Sequence, residues 1–293
     1  MGILNFLVPD ESVLVWIGLN IILAWSFYII LSTGQISLGN SAFMSLGAYS
    51  AGVATMKFGI PLFPALLIAM IVGGISGVIV GFPALRVRGV YLAMMTIGVE
   101  EIVQSLLRNF DYVGGPMGLR GMEGVSAWMV FLAVVLLGIL IWRLESSRLG
   151  RSFAAVRDDE MAASTMGLNV TYIKVLAFAI GAAMASLAGG LYAHYMMAIA
   201  PENFDIWQSF LPTFYVILGG AQTFLGGALG AIVLTILPEY FRPLQEWRVV
   251  VYGLAIVLMM AYRPQGLISK SLIRSVVSTI RPSKKQQILK EVV

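Results

Sequence analysis

The sequence predicts an all-α fold: a polytopic transmembrane helical bundle of about nine membrane segments, some short or broken. Three observations carry that reading. The 293 residues are 59% hydrophobic and only 12% charged, roughly half the ~25% charge of a soluble domain. Mean hydropathy is +0.88, and several apolar runs approach the ~20 residues that cross a bilayer as helix. No strand-type alternation of ~10 residues recurs, which argues against a transmembrane barrel.

Nine segments are expected, at 13–31, 38–56, 60–82, 90–107, 126–142, 172–197, 206–218, 224–237 and 249–261. The second carries a face of small and polar residues, the fourth two adjacent glutamates, and the sixth the only histidine, His194, near its outer end. The seventh and eighth flank the stretch GGAQT and are shorter than a full crossing. They are either steep short helices or halves of a broken element, which membranes tolerate only inside protein or beside water. The glycines from Gly219 to Gly230 fit such a break or close helix packing.

Lys and Arg set the orientation. With nine crossings and a cytoplasmic C-terminus, fourteen of the nineteen basic residues fall on the cytoplasmic side, leaving Lys57, Arg108, Arg120, Arg242 and Arg248 outside it. That asymmetry fits the positive-inside rule and places the N-terminus, free of Lys and Arg, outside; without a basic n-region it does not read as a cleaved signal peptide. The expected location is the plasma (inner) membrane, with a permease domain at 1–262, a cytoplasmic loop at 143–171 within it, and a basic tail at 263–293 that either rests on anionic lipid or binds a partner. The net charge of +4 is spread over flanks and tail and gives no nucleic-acid signal. Cysteine is absent and histidine single, so thiol chemistry is excluded, a metal site is not expected and no catalytic residue is assigned.

The 143–171 loop interrupts the apolar chain with mixed charge. Gly150 is expected to end the helix before it. Asp158, Asp159 and Glu160 cluster where a short helix starts, and acids there offset the positive end of the helix dipole. Gly167 suits a left-handed C-cap, and Asn169 can cap the next helix. Between them, Ala162 and Ala163 are expected on the surface. Small side chains let a helix backbone lie close in a partner's groove, with Arg157 and the acids at the groove's rim. An amphipathic helix lying on lipid headgroups is the alternative.

Glu100 and Glu101 lie about eleven residues past Gly89, which at ~1.5 Å per residue is ~16 Å into the bilayer. Carboxylates there normally face protein or water. Ile97, Glu101, Gln104 and Arg108 share one helix stripe, so Glu101 either lines a translocation route or pairs with Gln104 or Arg108. Gln35, Ser37, Asn40, Ser41, Ser45 and Gly47 form a second polar face, suited to helix packing or to hydrogen-bonding a zwitterionic substrate. The turn-rich stretches 111–122 and 201–205 are candidates for meeting a delivering protein, or are plain connections. His194 is read as packing.

Five stretches, in order, carry a family resemblance: STGQISLGNSAFMSLGAYSAG from Ser32, PALRVRGVYLAMMTIGVEEIV from Pro83, GGPMGLRGM from Gly114, GRSFAAVRDDEMAASTMGLNV from Gly150 and LGGAQTFLGGALGA from Leu218. Together they resemble the LivM-type permease of branched-chain amino-acid ABC importers. The Ala162, Ala163, Gly167 pattern is similar to the EAA-type loop of such permeases, with its acid, Glu160, one residue earlier than usual and the later Ile-x-Leu-Pro missing. Two further departures are Gln222-Thr223 where the family has Gly-Thr, and Gly227 where a proline is usual.

The resemblance implies a transport subunit rather than an enzyme. Arg157, Asp158, Asp159, Glu160, Ala162, Ala163 and Gly167 would form the coupling helix seated in an ATPase cleft. A second LivH-like permease subunit, two ABC ATPase subunits, an extracytoplasmic substrate-binding protein and membrane lipid would be the partners. The chain has no G-x-x-x-x-G-K-[ST] phosphate loop, so ATP would act through the partner subunits and no cofactor is expected on this chain. Gln35, Asn40, Ser41, Ser45, Glu100, Glu101 and Gln104 are the candidate pathway residues. Amino acids, urea and short amides all remain open as substrate. An ion-coupled secondary transporter of such solutes is a second class; its midplane carboxylates are here, but an inverted repeat is not visible. A membrane-embedded enzyme is a third, and a single histidine, no cysteine and no H-E-x-x-H argue against it.

Overall fold

A computed structural model describes residues 11–240 apart from positions 88 and 123, with residues 250, 253, 254 and 257. Among the described residues ten α-helices run in order: α1 (Glu11–Leu31), α2 (Asn40–Phe58), α3 (Leu62–Ala84), α4 (Val90–Asn109), α5 (Ala127–Ser146), α6 (Arg148–Asp158), α7 (Glu160–Thr165), α8 (Val170–Met196), α9 (Ile206–Gly219) and α10 (Phe224–Tyr240). Two-residue strands β1 (Leu119–Arg120) and β2 (Ala198–Ile199) pair antiparallel, with Leu119 opposite Ile199.

Helices α1 and α8 form the centre. In their apolar windows 78% and 72% of residues are buried, against 17% in α5. A helix apolar all round and enclosed by others is an inner helix, whereas α5 turns its apolar surface outward, as a lipid-facing helix does. Helix α8 packs on α1, α2 and α3. It closes on α2 through backbone: a Cβ at Gly189 would collide with the Met44 carbonyl, and one at Gly47 with the Ser186 backbone. Ser186 then donates its hydroxyl to the Phe43 carbonyl at 2.6 Å. Where lipid removes the hydrophobic drive, such close approach and cross-helix hydrogen bonding hold helices together.

Eight of the nine expected segments have helical counterparts, and 249–261 lies outside the described residues but for four isolated positions. By length and apolarity, however, among the described residues only α1, α3, α4, α5 and α8 suffice to cross a membrane, or six spans if α9 and α10 count as one. Helix α2 has 19 residues but, with Asn40 and Lys57 near its ends and serines between, is less apolar than those five, and it packs against α3 and α8. Helices α9 and α10 meet at a 113° bend. Gly220 takes φ +118° at the bend, and Gly219 and Gly226 touch backbone to backbone across it, so the glycines serve both the break and the close packing.

The loops gather at two ends. At one, Gly34 lies against the backbone of Arg157, so the loop after α1 meets α6. At the other, β1 and β2 pair, Gly121 N donates to Met197 O at 2.9 Å, and the Lys57 ammonium lies 3.4 Å over the Tyr112 ring.

Candidate functional site

The charged block is built as two helices. Gly150 does not end α5, contrary to expectation. Helix α5 stops at Ser146, and the Ser147 hydroxyl caps α6 by accepting from Gly150 N at 3.3 Å. A serine oxygen satisfies an orphan N–H that glycine cannot, so Gly150 falls in the first turn of α6, tight against Leu144 and Glu145. Phe153 and Val156 bury the inner face of α6. Arg157 Nε and Nη2 both reach Asp158 Oδ1 at 3.2 Å, an exposed pair that contributes at most about 1 kcal/mol.

Asp159 caps α7, its Oδ1 accepting from Met161 N at 2.8 Å and Ala162 N at 3.0 Å. The C-terminus closes as expected: Gly167 has φ +83°, its N–H goes to Ser164 O, and Leu168 N goes to Ala163 O. These are the two bonds of a Schellman motif. Asn169 caps α8 through Tyr172 N at 3.0 Å. A helix as short as α7 is not stable alone; caps at both ends and an ion pair from Glu160 to Lys174 of α8 hold it. Lys174 is buried at 8% exposure.

One expectation fails here. Ala163 is 4% exposed and belongs to the core, because α7 needs one face on the bundle and Ala163 lies on it. Ala162 is exposed, beside Met161 and Met166 at 77% and 84%. The two methionines escaped the sequence reading, which weighed charge and small size; two Met five apart around two alanines were the available signal. Exposed flexible thioethers suit an adaptable contact surface.

A second cluster lies between α2, α4 and α9. The loop before α2 is held by Leu38 N donating to Thr96 Oγ1 at 2.9 Å and by Thr33 Oγ1 donating to Gln35 Oε1 at 3.1 Å. Ser41 N donates to Ser209 Oγ at 2.9 Å, and Ser209 Oγ donates to Glu100 Oε2 at 2.6 Å. Gln104, one turn on, donates to the Phe204 carbonyl and accepts from Arg108 Nη2 at 3.0 Å. Glu100 is fully buried, and its Oε1, the Ser41 hydroxyl and both polar atoms of the Asn40 side chain have no hydrogen-bond partner among the described residues. Buried groups with spare capacity are exceptional in proteins.

The expected stripe is therefore shifted. Thr96, Glu100 and Gln104 face the bundle, while Glu101 is exposed with Gly98 and Ser105. Adjacent residues differ by ~100° around a helix, so only one of the two glutamates can face inward. Arg108 pairs with Gln104, not with Glu101. Ser41, Glu100 and Gln104 thus converge around Ser209 and Phe204. Asn40 is buried next to Ser41, Gln35 lies in the loop, and Ser45 returns its hydroxyl to Ala42 O at 2.8 Å. Ser209 was missed, although a lone serine just inside an apolar helix was a readable sign. His194 packs as expected, Nδ1 on Gly190 O at 2.8 Å and Nε2 on Thr55 Oγ1 at 3.1 Å.

No solved structure matches this chain. It is 33% identical over 292 residues, 87% of this chain and 67% of the relative, to the high-affinity branched-chain amino acid transport system permease protein LivM of Salmonella typhimurium, and equally to that of Escherichia coli. It is also 28% identical over 229 residues, 73% of this chain and 64% of the relative, to the autoinducer 2 import system permease protein LsrC of Yersinia pseudotuberculosis. The family model described as branched-chain amino acid transport system / permease component matches residues 11–260: this multi-pass membrane chain belongs to that permease family.

Proposed function

We propose that the chain is the membrane-spanning subunit of an ATP-driven ABC importer for branched-chain or related amino acids. Substrate passes from an extracytoplasmic binding protein to the cytoplasm by alternating access. A second LivH-like permease completes the translocation unit, and two ABC ATPase subunits hydrolyse ATP, so no cofactor is assigned to this chain. The relatives named for branched-chain amino acids support that substrate class.

The observation that carries the reading is α7. It is capped at both ends, presents Met161, Ala162 and Met166, and is ion-paired through Glu160 to Lys174 of α8. A socket closing on α7 would push on α8, and α8 packs on α1, α2 and α3. Arg157, Asp158, Asp159, Glu160, Ala162 and Gly167 supply the rim contacts and shape of this plug; Ala163 anchors it from inside. The α7 end is taken as cytoplasmic, with the N-terminus outside, and 263–293 as a lipid-associated tail beyond a permease domain at 1–262.

Gln35, Asn40, Ser41, Ser45, Glu100, Glu101 and Gln104 remain the candidate pathway residues. The buried Glu100 carboxylate also favours one other reading, an ion-coupled secondary transporter of amino acids or small amides such as urea, because midplane carboxylates bind coupling ions in such proteins. Reconstitution separates the two. Uptake by proteoliposomes holding this chain, its second permease and its ATPases should require internal ATP and binding protein. Uptake by this chain alone, driven by an ion gradient, would overturn the importer reading.

A further inference from the structure

A cavity of about 230 Å³ opens between α1, α5, α6 and the turn joining α9 to α10, at the end that carries α7. Partly open on one side, it has room for a ligand of the size of a single amino acid. Its lining combines three chemistries. Ile29 and the buried Phe153 give an apolar wall. Glu145 brings a carboxylate whose place is fixed by the Tyr28 hydroxyl, donating to Oε1 at 2.5 Å. Tyr28 itself is buried, at 6% exposure, whereas Glu145, Arg151 and Arg157 are exposed, so the charged groups of the cavity are open to a ligand from solvent. Arg151 and Arg157 bring two guanidinium groups.

A guanidinium has five donors. Contacts among the described residues engage one donor of Arg151, to Ser146 O at 3.1 Å, and two of Arg157, to Asp158. Forked donors suit a carboxylate, and a carboxylate beside an apolar wall suits an ammonium carried on a short aliphatic body. An anion alone would leave Glu145 opposed by like charge, and a cation alone would meet two arginines.

We propose that this cavity binds an apolar α-amino acid as its zwitterion, ammonium on Glu145, carboxylate on Arg151 and Arg157, side chain against Ile29 and Phe153. The choice of amino acid as ligand rests on the importer reading. The site lies on the product side under that reading. Its occupant would tie α1 and the α9–α10 turn to α6, which leads directly into the Asp159 cap of α7. Accumulated product would therefore hold the plug still and slow further import.

The test is equilibrium binding of radiolabelled leucine to the full chain in lipid nanodiscs. Saturable binding is expected, weakened tenfold or more by Glu145→Gln and by Arg151→Gln. Leucine amide and 4-methylpentanoate, each lacking one charge, should compete at least tenfold more weakly than leucine, and inorganic phosphate not at all. Glu145→Gln keeps an acceptor for Tyr28, and circular dichroism with a monodisperse elution profile confirms folding. Absence of leucine binding by folded chain, binding indifferent to both variants, or phosphate competing as well as leucine would each overturn the site. ATP-dependent uptake by the assembled system tests the importer reading separately, so either result can fail while the other stands.

Discussion

Lys174, buried near the start of α8, is ion-paired with Glu160 in the first turn of α7. The two partners are unequally exposed, with side chains at 11% and 36%. Breaking a buried pair is expensive mainly because it strands the remaining charge. Glu160→Gln strands the buried Lys174 ammonium, and because Glu160 is partly exposed the loss should be that of a buried donor left without its partner, about 1–3 kcal/mol. Lys174→Met keeps the aliphatic packing and leaves a carboxylate that water reaches, so it should be the milder change. Thermal unfolding in one detergent compares the two, and an inverted order would mean that the pair does not anchor α7.

Neighbouring alanines on α7 separate docking from folding. Ala162 is exposed and Ala163 is in the core. Arg at 163 must overpack the contact with the bundle, at a cost of about 1–3 kcal/mol or more. Ala162→Arg should unfold like the parent protein yet lower uptake at least tenfold while partner ATPase activity persists. Normal uptake in that variant would remove α7 from the coupling role, whatever happens at 163.

Ser209 is the hinge of the polar cluster, because one hydroxyl accepts from Ser41 N and donates to Glu100. Ser209→Ala leaves a buried N–H and a carboxylate oxygen without their partner, and such losses cost about 1–3 kcal/mol each. Glu100→Gln keeps an oxygen for Ser209 to donate to and removes only the charge. If the charge serves transport, Glu100→Gln should be stable and slow, and Ser209→Ala unstable. Comparing Tm with initial uptake rate for the two variants checks the split. Equal stability losses would make the cluster a packing lock alone.

Periodicity and punctuation made much of this legible. Asp159, Gly167 and Asn169 take the cap positions their chemistry favours, since capping depends on neighbours within one turn. Helix faces were harder. Glu100 and Glu101 are adjacent and chemically alike, so only packing against α2 and α9 decides which is buried. Ala163 was misplaced for the same reason: alanine is at home on either face, and its burial depends on where α7 lies on the bundle. The Tyr28–Glu145 contact joins residues 117 apart in sequence, and no local pattern announces it.

Glu101 gives the sharpest test of what covers the outer face of α4. That face also carries Met94, Gly98 and Ser105, all exposed in this chain. An acid facing lipid at the bilayer centre costs about 2.5–3.5 kcal/mol, so Glu101 is expected to face a second subunit or a water-lined route. Glu101→Leu should then leave the isolated chain folded and fully inserted, because no described contact within α4's own bundle depends on it. In the assembled system the same variant should lose either association with the second permease or uptake, by tenfold or more. Pull-down of the partner subunit and an uptake assay distinguish these outcomes. A variant that assembles and transports like the parent would place Glu101 at the lipid boundary and withdraw it from the pathway residues.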